Sequence, residues 1–248
     1  MDCLVQAAVG SHCLECAKAA QPDVRTRAKF WSAGQPALVT IILITINVAV
    51  FVYSVVRDPA AIGASITQTH VDLALYGPAV EQGDWYRMIT SGFLHYGIVH
   101  LAFNMYLLYI LGQMLEPAIG RVRFLLVYLA GLLGGSAGAL ILSPNSLSAG
   151  ASGAVFGLLG LAFVGYYLNG INPLSTGVGT LLLLNLGLTF LWSGRISVGG
   201  HVGGMLAGAV CALAVMAPAH RRVPAWLTYA LPVAVMITSV TISELSLA

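Results

Sequence analysis

Three short stretches carry side chains suited to acyl transfer. Gly150-Ala151-Ser152-Gly153 sets a serine between glycines, His201 stands in a run with Gly200, Gly204 and Gly208, and His100 and Asn104 lie four residues apart. Serine is a weak nucleophile until a neighbouring base takes its proton, and histidine titrates in the range that such a base needs. The tetrahedral intermediate develops an oxyanion, for which an asparagine amide, a histidine N–H and a backbone N–H beside the serine are suitable donors. Other protease chemistries fit poorly: the chain has no HExxH zinc motif and no pair of aspartates inside an apolar run.

The elements that position these residues are membrane helices. Of 248 residues, 58% are hydrophobic and 8% charged, whereas a soluble domain carries about 25% charged residues. That leaves too little polar surface for a water-facing globule and implies an integral membrane protein. A formal charge of +2 argues for no nucleic-acid partner. Seven uncharged apolar runs, 37–56, 92–114, 122–142, 150–168, 174–192, 199–217 and 225–243, are each long enough to cross about 30 Å of hydrocarbon as a helix. The expected fold is therefore all-α, a polytopic membrane helix bundle. Pro232 falls inside the last run, where neighbouring helices can satisfy the freed carbonyl. The first run follows a polar stretch and reads as a true span rather than a cleavable signal peptide. No internal repeat, which would hint at a transporter, is evident.

Basic residues orient the bundle. Lys18, Arg25, Arg27, Lys29, Arg121, Arg123, Arg221 and Arg222 fall on one side, against Arg57, Arg87 and Arg195 on the other. The amino terminus is then expected in the cytoplasm and the carboxyl terminus outside. Spans two, four and six run inward, so His95, His100, Asn104, Ser152 and His201 all lie at one depth in the outer part of the membrane. Gly153 and Gly157 on span four and Gly200, Gly204 and Gly208 on span six form small-residue faces that let backbones approach closely. If those faces pack, a hydroxyl and an imidazole meet. Taken singly, the serine reads as packing and the Asn–His pair as interhelical glue. Their joint occurrence at one level, each costly in lipid, favours chemistry. With no carboxylate at that depth, the expected device is a Ser–His dyad.

The chain resembles the rhomboid intramembrane serine proteases. The likeness runs from Gly83 to Gly208 through "GDWYRMITSGFLHYGIVHLAFNMYLLYILGQMLEPAIG", "GASGAVFGLLG" and "GGHVGGMLAG". It implies that Ser152 of the GxSG motif (Gly150 to Gly153) is the nucleophile and that His201, with Gly204 behind it, is the base. His100 and Asn104 of an HxxxN motif would serve the oxyanion. Arg87 of the WxR stretch and Glu116 match structural positions. Phe156 stands where relatives often carry tyrosine, which keeps a ring to stack on His201 but no phenol. The resemblance also implies a six-helix core over 37–217 with a membrane-embedded external loop, and an added seventh helix within 218–248. It further implies a multi-pass plasma-membrane enzyme that needs no cofactor for catalysis and cuts the transmembrane segments of other proteins within the bilayer. Oligomeric state is not readable. The other reading is a catalytically silent rhomboid-like protein that binds membrane helices.

Residues 1–36 form a separate cytoplasmic tail. Cys13 and Cys16 have a zinc-knuckle spacing that Cys3 and His12 would complete, with free thiols as the alternative. The tail resembles the latter half of a cysteine-rich zinc segment found before the core of some actinobacterial-type rhomboids, which implies truncation or an internal start.

Overall fold

The computed structural model of the chain describes residues 4–6, 11–13, 37–194 and 196–247. It divides into two compact units, Met1–Pro36 and Ala37–Ala248. In the first, strands β1 (Leu4–Gln6) and β2 (Ser11–Cys13) pair antiparallel with Val5 opposite His12. Cys3, Cys16, the tail's lysines and arginines, and Arg195 lie outside the described residues, and for His12 and Cys13 the description is of backbone pairing.

The second unit is helical. Its long helices are α1 (Leu38–Arg57), α5 (Gly97–Ile119), α6 (Arg121–Leu142), α7 (Ser152–Leu168), α8 (Gly177–Leu191), α9 (Val198–Val215) and α10 (Leu227–Leu247). Between α1 and α5 the chain makes three short helices, α2 (Gln68–Leu73), α3 (Gly77–Glu81) and α4 (Arg87–Thr90). Five helices, α1, α5, α6, α9 and α10, are long and apolar enough to cross a membrane. Their outward faces carry bare apolar side chains such as Val56, Val99 and Leu245, more than 70% exposed. Such a surface suits lipid rather than water.

Two of the seven expected spans are short. Helix α7 has 17 residues and α8 has 15, or about 25 and 22 Å at 1.5 Å per residue. The entry to α7 is a loop that runs up to Ser152, and the entry to α8 is a turn begun by Pro173. The second span also starts later than its apolar run suggests, at Gly97, because residues 91–93 form a tight turn. Helix α7 can be short because it is enclosed by protein: every residue from Ala154 to Ala162 is buried, all round the helix.

The enclosure is built on glycine. A Cβ on Gly204 of α9 would collide with the carbonyl oxygen of Gly153 on α7, and one on Gly208 with that of Gly157. The two small-residue faces thus lie backbone on backbone. Helix α6 joins them, which the sequence reading did not foresee. A Cβ on Gly135 would stand 2.9 Å from both Gly153 Cα and the Gly200 carbonyl oxygen, and one on Gly157 would stand 2.7 Å from Gly131 Cα. Three backbones meet with no side chain between them, the arrangement that gives dispersion contact its closest range where lipid removes the hydrophobic drive.

Side chains fasten the remaining parts. Glu116, 2% exposed, accepts from the backbone N–H groups of Val39 (2.9 Å) and Thr40 (2.8 Å) and from Thr40 Oγ1 (2.7 Å). Its carboxylate therefore caps the first turn of α1, where a negative charge meets unpaired N–H groups. Arg87 donates through Nη1 to the carbonyls of Val71 and Ala74 and through Nε to Asp84, tying the short helices together. Arg123 on α6 holds α10 by donating to Thr228 Oγ1 at 2.7 Å while its guanidinium lies 4.7 Å above the Tyr229 ring.

Candidate functional site

The loop that delivers Ser152 is held by the segment before α5. Leu75 and Ser148 exchange both backbone hydrogen bonds at 2.9 Å, Gly150 N–H donates to the Ser91 carbonyl at 2.9 Å, and Tyr96 Oη donates to the Leu147 carbonyl at 3.1 Å. Next to the serine, Ala151 N–H points at Nε2 of the buried His95, 3.5 Å away. Gly150 then turns with φ +135°, a backbone state closed to residues with a Cβ. A Cβ there would also stand 2.8 Å from His100 Cε1 and 2.9 Å from its Nε2. The glycine is required twice over, by its own torsion and by the ring beside it. Ser152 opens α7, so its backbone N–H belongs to the unpaired set at a helix start.

His201 lies in the first turn of α9 and is buried. Its ring is stacked on Phe156, one turn along α7 from Ser152, with centroids 4.1 Å apart and planes 18° from parallel. The glycine contacts of α7 and α9 bring Ser152 and the His201 imidazole to the same end of two touching helices. On its other side, His201 Nδ1 lies 2.7 Å from Thr189 Oγ1 of α8.

His100 and Asn104 come from α5. His100 Nδ1 accepts the N–H of Tyr96 at 3.3 Å, so its neutral ring carries the proton on Nε2, the nitrogen nearest Gly150. Gly150's missing side chain leaves a position 2.9 Å from that nitrogen and 3.7 Å from Ser152 Oγ. Asn104 is buried and gives one amide proton to the His100 carbonyl at 3.0 Å, leaving the other for a second acceptor. His95 meets His100 edge to face at 5.1 Å, and the Tyr96 ring is nearly parallel both to His70, 4.7 Å away, and to His100, 6.4 Å away.

Behind Ser152 is a cavity of about 40 Å³, room for water given that one molecule needs about 10–15 Å³ measured this way. Ser91, Ser136, Ser148 and Ser197 contribute to its wall beside Gly150 and Ser152. Among the described residues, no group of three or more histidine, cysteine or acidic side chains is arranged to hold a metal.

Sequence reading missed three of these residues. Thr189 lies four residues after Asn185 in a leucine-rich span, and that buried polar pair was the available signal. The contacts of Tyr96 and Ser91 with the serine loop follow from a chain path that no local pattern encodes.

A family model described as the Rhomboid domain matches residues 82–218. Curated relatives include rhomboid protease GluP of Bacillus subtilis, 34% identical over 198 residues, which are 78% of this chain and 38% of that protein. The rhomboid protein YdcA of the same bacterium is 32% identical over 151 residues, 59% of this chain and 75% of its own length. RHOMBOID-like protein 5 of Arabidopsis thaliana is 34% identical over 161 residues, 62% of this chain and 51% of that protein. The chain therefore spans well under half of GluP and about half of the plant relative.

Proposed function

The chain belongs to the rhomboid family, a multi-pass membrane protein by its family and its five spanning helices, and from that premise we propose that it is an intramembrane serine endopeptidase acting through Ser152 and His201. One observation carries the reading: α7 and α9 touch backbone to backbone at Gly153–Gly204, with His201 laid on Phe156 one turn from Ser152.

A substrate's transmembrane helix enters from lipid with its scissile carbonyl already hydrogen-bonded within the helix, so the segment must unwind before attack. His201 Nε2 takes the Ser152 proton as Oγ bonds to the carbonyl carbon. The carbonyl π electrons move to oxygen, and that oxyanion is met by His100 Nε2–H, the free Asn104 amide proton and the backbone N–H of Ser152. His201 then passes its proton to the departing amine, the C–N bond breaks, and an acyl-enzyme remains. Water from the cavity behind Ser152 gives its proton to His201 and attacks the ester, and proton return to Ser152 Oγ releases the acid. Phe156 holds the imidazole plane, and the segment pinned to Leu75, Ser91 and His95 holds the serine loop. The basic residues support a cytoplasmic amino terminus and an external active site in a plasma membrane. For Cys3, His12, Cys13 and Cys16 of the tail the choice is between a zinc site and free thiols: stoichiometric zinc in the purified protein, lost on Cys13→Ser, supports the first, and its absence the second.

Ser152→Ala and His201→Ala are each expected to abolish cleavage of a reporter transmembrane substrate while leaving membrane insertion intact. A serine-reactive fluorophosphonate should label the wild type and not Ser152→Ala. Asn104→Ala should lower kcat by about 10²–10³-fold, as for loss of an oxyanion donor. Cleavage that persists in Ser152→Ala would overturn the assignment. A wild type that binds transmembrane helices yet neither cleaves nor labels would favour the silent helix-binding reading.

A further inference from the structure

We propose that Thr189 is a positioning residue that fixes the tautomer and the ring orientation of His201. The inference rests on the reading of His201 as general base. Thr189 is fully buried on α8, with Oγ1 2.7 Å from His201 Nδ1 and 2.6 Å from the backbone carbonyl oxygen of Asn185. A hydroxyl has one proton and two lone pairs. The carbonyl can only accept, so the Thr189 proton goes to Asn185, a back-bond one turn down the helix that threonine commonly makes. What Thr189 can then offer His201 is a lone pair. Nδ1 must carry a proton to use it, and in the neutral ring that leaves Nε2 bare.

Stacking alone does not achieve this. The Phe156 face fixes the plane of the imidazole, but a ring flipped by 180° about its Cβ–Cγ bond lies in the same plane, stacks equally well and exchanges Nδ1 with a carbon. The edge contact to Thr189 selects one of the two orientations and one of the two tautomers. The pair thus supplies plane and edge, each from a different helix. Asn185 anchors the same edge of α8 by donating to the Leu181 carbonyl at 2.7 Å, so the hydroxyl sits on a helix whose polar groups are paired in series. A neutral hydroxyl also does the orienting without burying a second charge at this depth, where an ionised carboxylate is expensive. The sequence-based dyad therefore has a third member that orients but does not touch substrate.

The test compares Thr189→Val, which keeps shape and removes the hydroxyl, with Thr189→Ser, which keeps the hydroxyl. Kinetics on the reporter substrate are measured in full-length protein, with Ser152→Ala as the dead control. Thr189→Val is expected to lower kcat by about 10- to 100-fold, the range for losing an outer partner of a functional histidine, with KM little changed. Thr189→Ser should recover most of the loss. In parallel, ¹⁵N spectra of the labelled His201 ring should show protonated Nδ1 and bare Nε2 in the wild type, and mixed tautomers in Thr189→Val. Wild-type kcat in Thr189→Val overturns the proposal, as does a wild-type ring protonated on Nε2. So does a loss in Thr189→Val that appears equally in Thr189→Ser together with a lowered melting temperature, because that assigns the residue to packing. If the wild type shows the expected ring but cleaves nothing, the protease reading fails while the orienting contact stands.

Discussion

Helix α7 is held by α9 in one way and α8 touches α9 in another. Along the α7–α9 seam, Gly153 meets Gly204 and Gly157 meets Gly208 with no room for a single added carbon. On α8, a Cβ at Gly177 or at Gly187 would meet nothing within 4 Å, and Leu183, Leu184, Phe190 and Leu191 are exposed. Its tie to α9 is made by side chains, with Thr189 reaching His201. Backbone contact cannot be relaxed by turning a rotamer, so the seam sets where serine and histidine stand. A side-chain contact has torsional freedom and little area, so it can choose an orientation but contributes little to holding the bundle together.

The sharpest way to break this contrast is Gly208→Val. The new side chain must displace the Gly157 carbonyl, and overpacking of this kind costs about 1–3 kcal/mol or more. Cleavage and resistance to denaturation in detergent should both be lost, and a well-folded active variant would show that the seam is not what positions α7. Gly150→Ala comes next. It forces a side chain into φ +135° beside His100, a strain of about 1–3 kcal/mol. With the serine loop shifted, kcat should fall by about 100-fold while the seam, and hence global stability, is less affected.

Acid should separate the 67–96 segment from the seam. Burial holds His70 below its ordinary value of 6.5, and its ring is engaged by Thr67 and the His95 carbonyl. Above pH 6.5 the ring is neutral folded or unfolded, and its contribution is complete. Below that pH the unfolded segment takes up a proton that the folded one resists, so stability drains from the segment until the folded ring titrates as well. Hydrogen exchange should report loss of protection around residues 67–96 before any around the Gly157–Gly208 contact, which is made by backbone and has no side chain to titrate. Uniform loss across both regions would remove the distinction. The smallest effect is expected for Gly187→Ala, where the site is open. Helix propensity there gains about 0.5–1 kcal/mol, and cleavage should stay at the wild-type level.

Much of this was legible in the residues. The apolar runs became helices, with five long enough to span and the two ending near Leu168 and Leu191 shortened. The glycine spacing on spans four and six foretold their contact. The shortening was hidden because hydropathy does not distinguish a helix wrapped by protein, as α7 is, from one facing lipid. The third partner of the seam was hidden too. Gly131 and Gly135 of α6 lie against Gly157 and Gly153 only because the fold brings α6 there.

The amino-acid order by itself determined the helical spans, the scarce polar residues among them and the glycines able to bring backbones together. It could do so because lipid leaves backbone groups no partner but their own helix, and makes every buried polar side chain conspicuous. Only the tertiary structure decided that Thr189 faces His201 Nδ1, that His95 receives the amide of Ala151, and that His100 turns Nε2 toward Gly150. Those contacts join side chains on different elements, and helical periodicity fixes which residues share a face but not which faces meet.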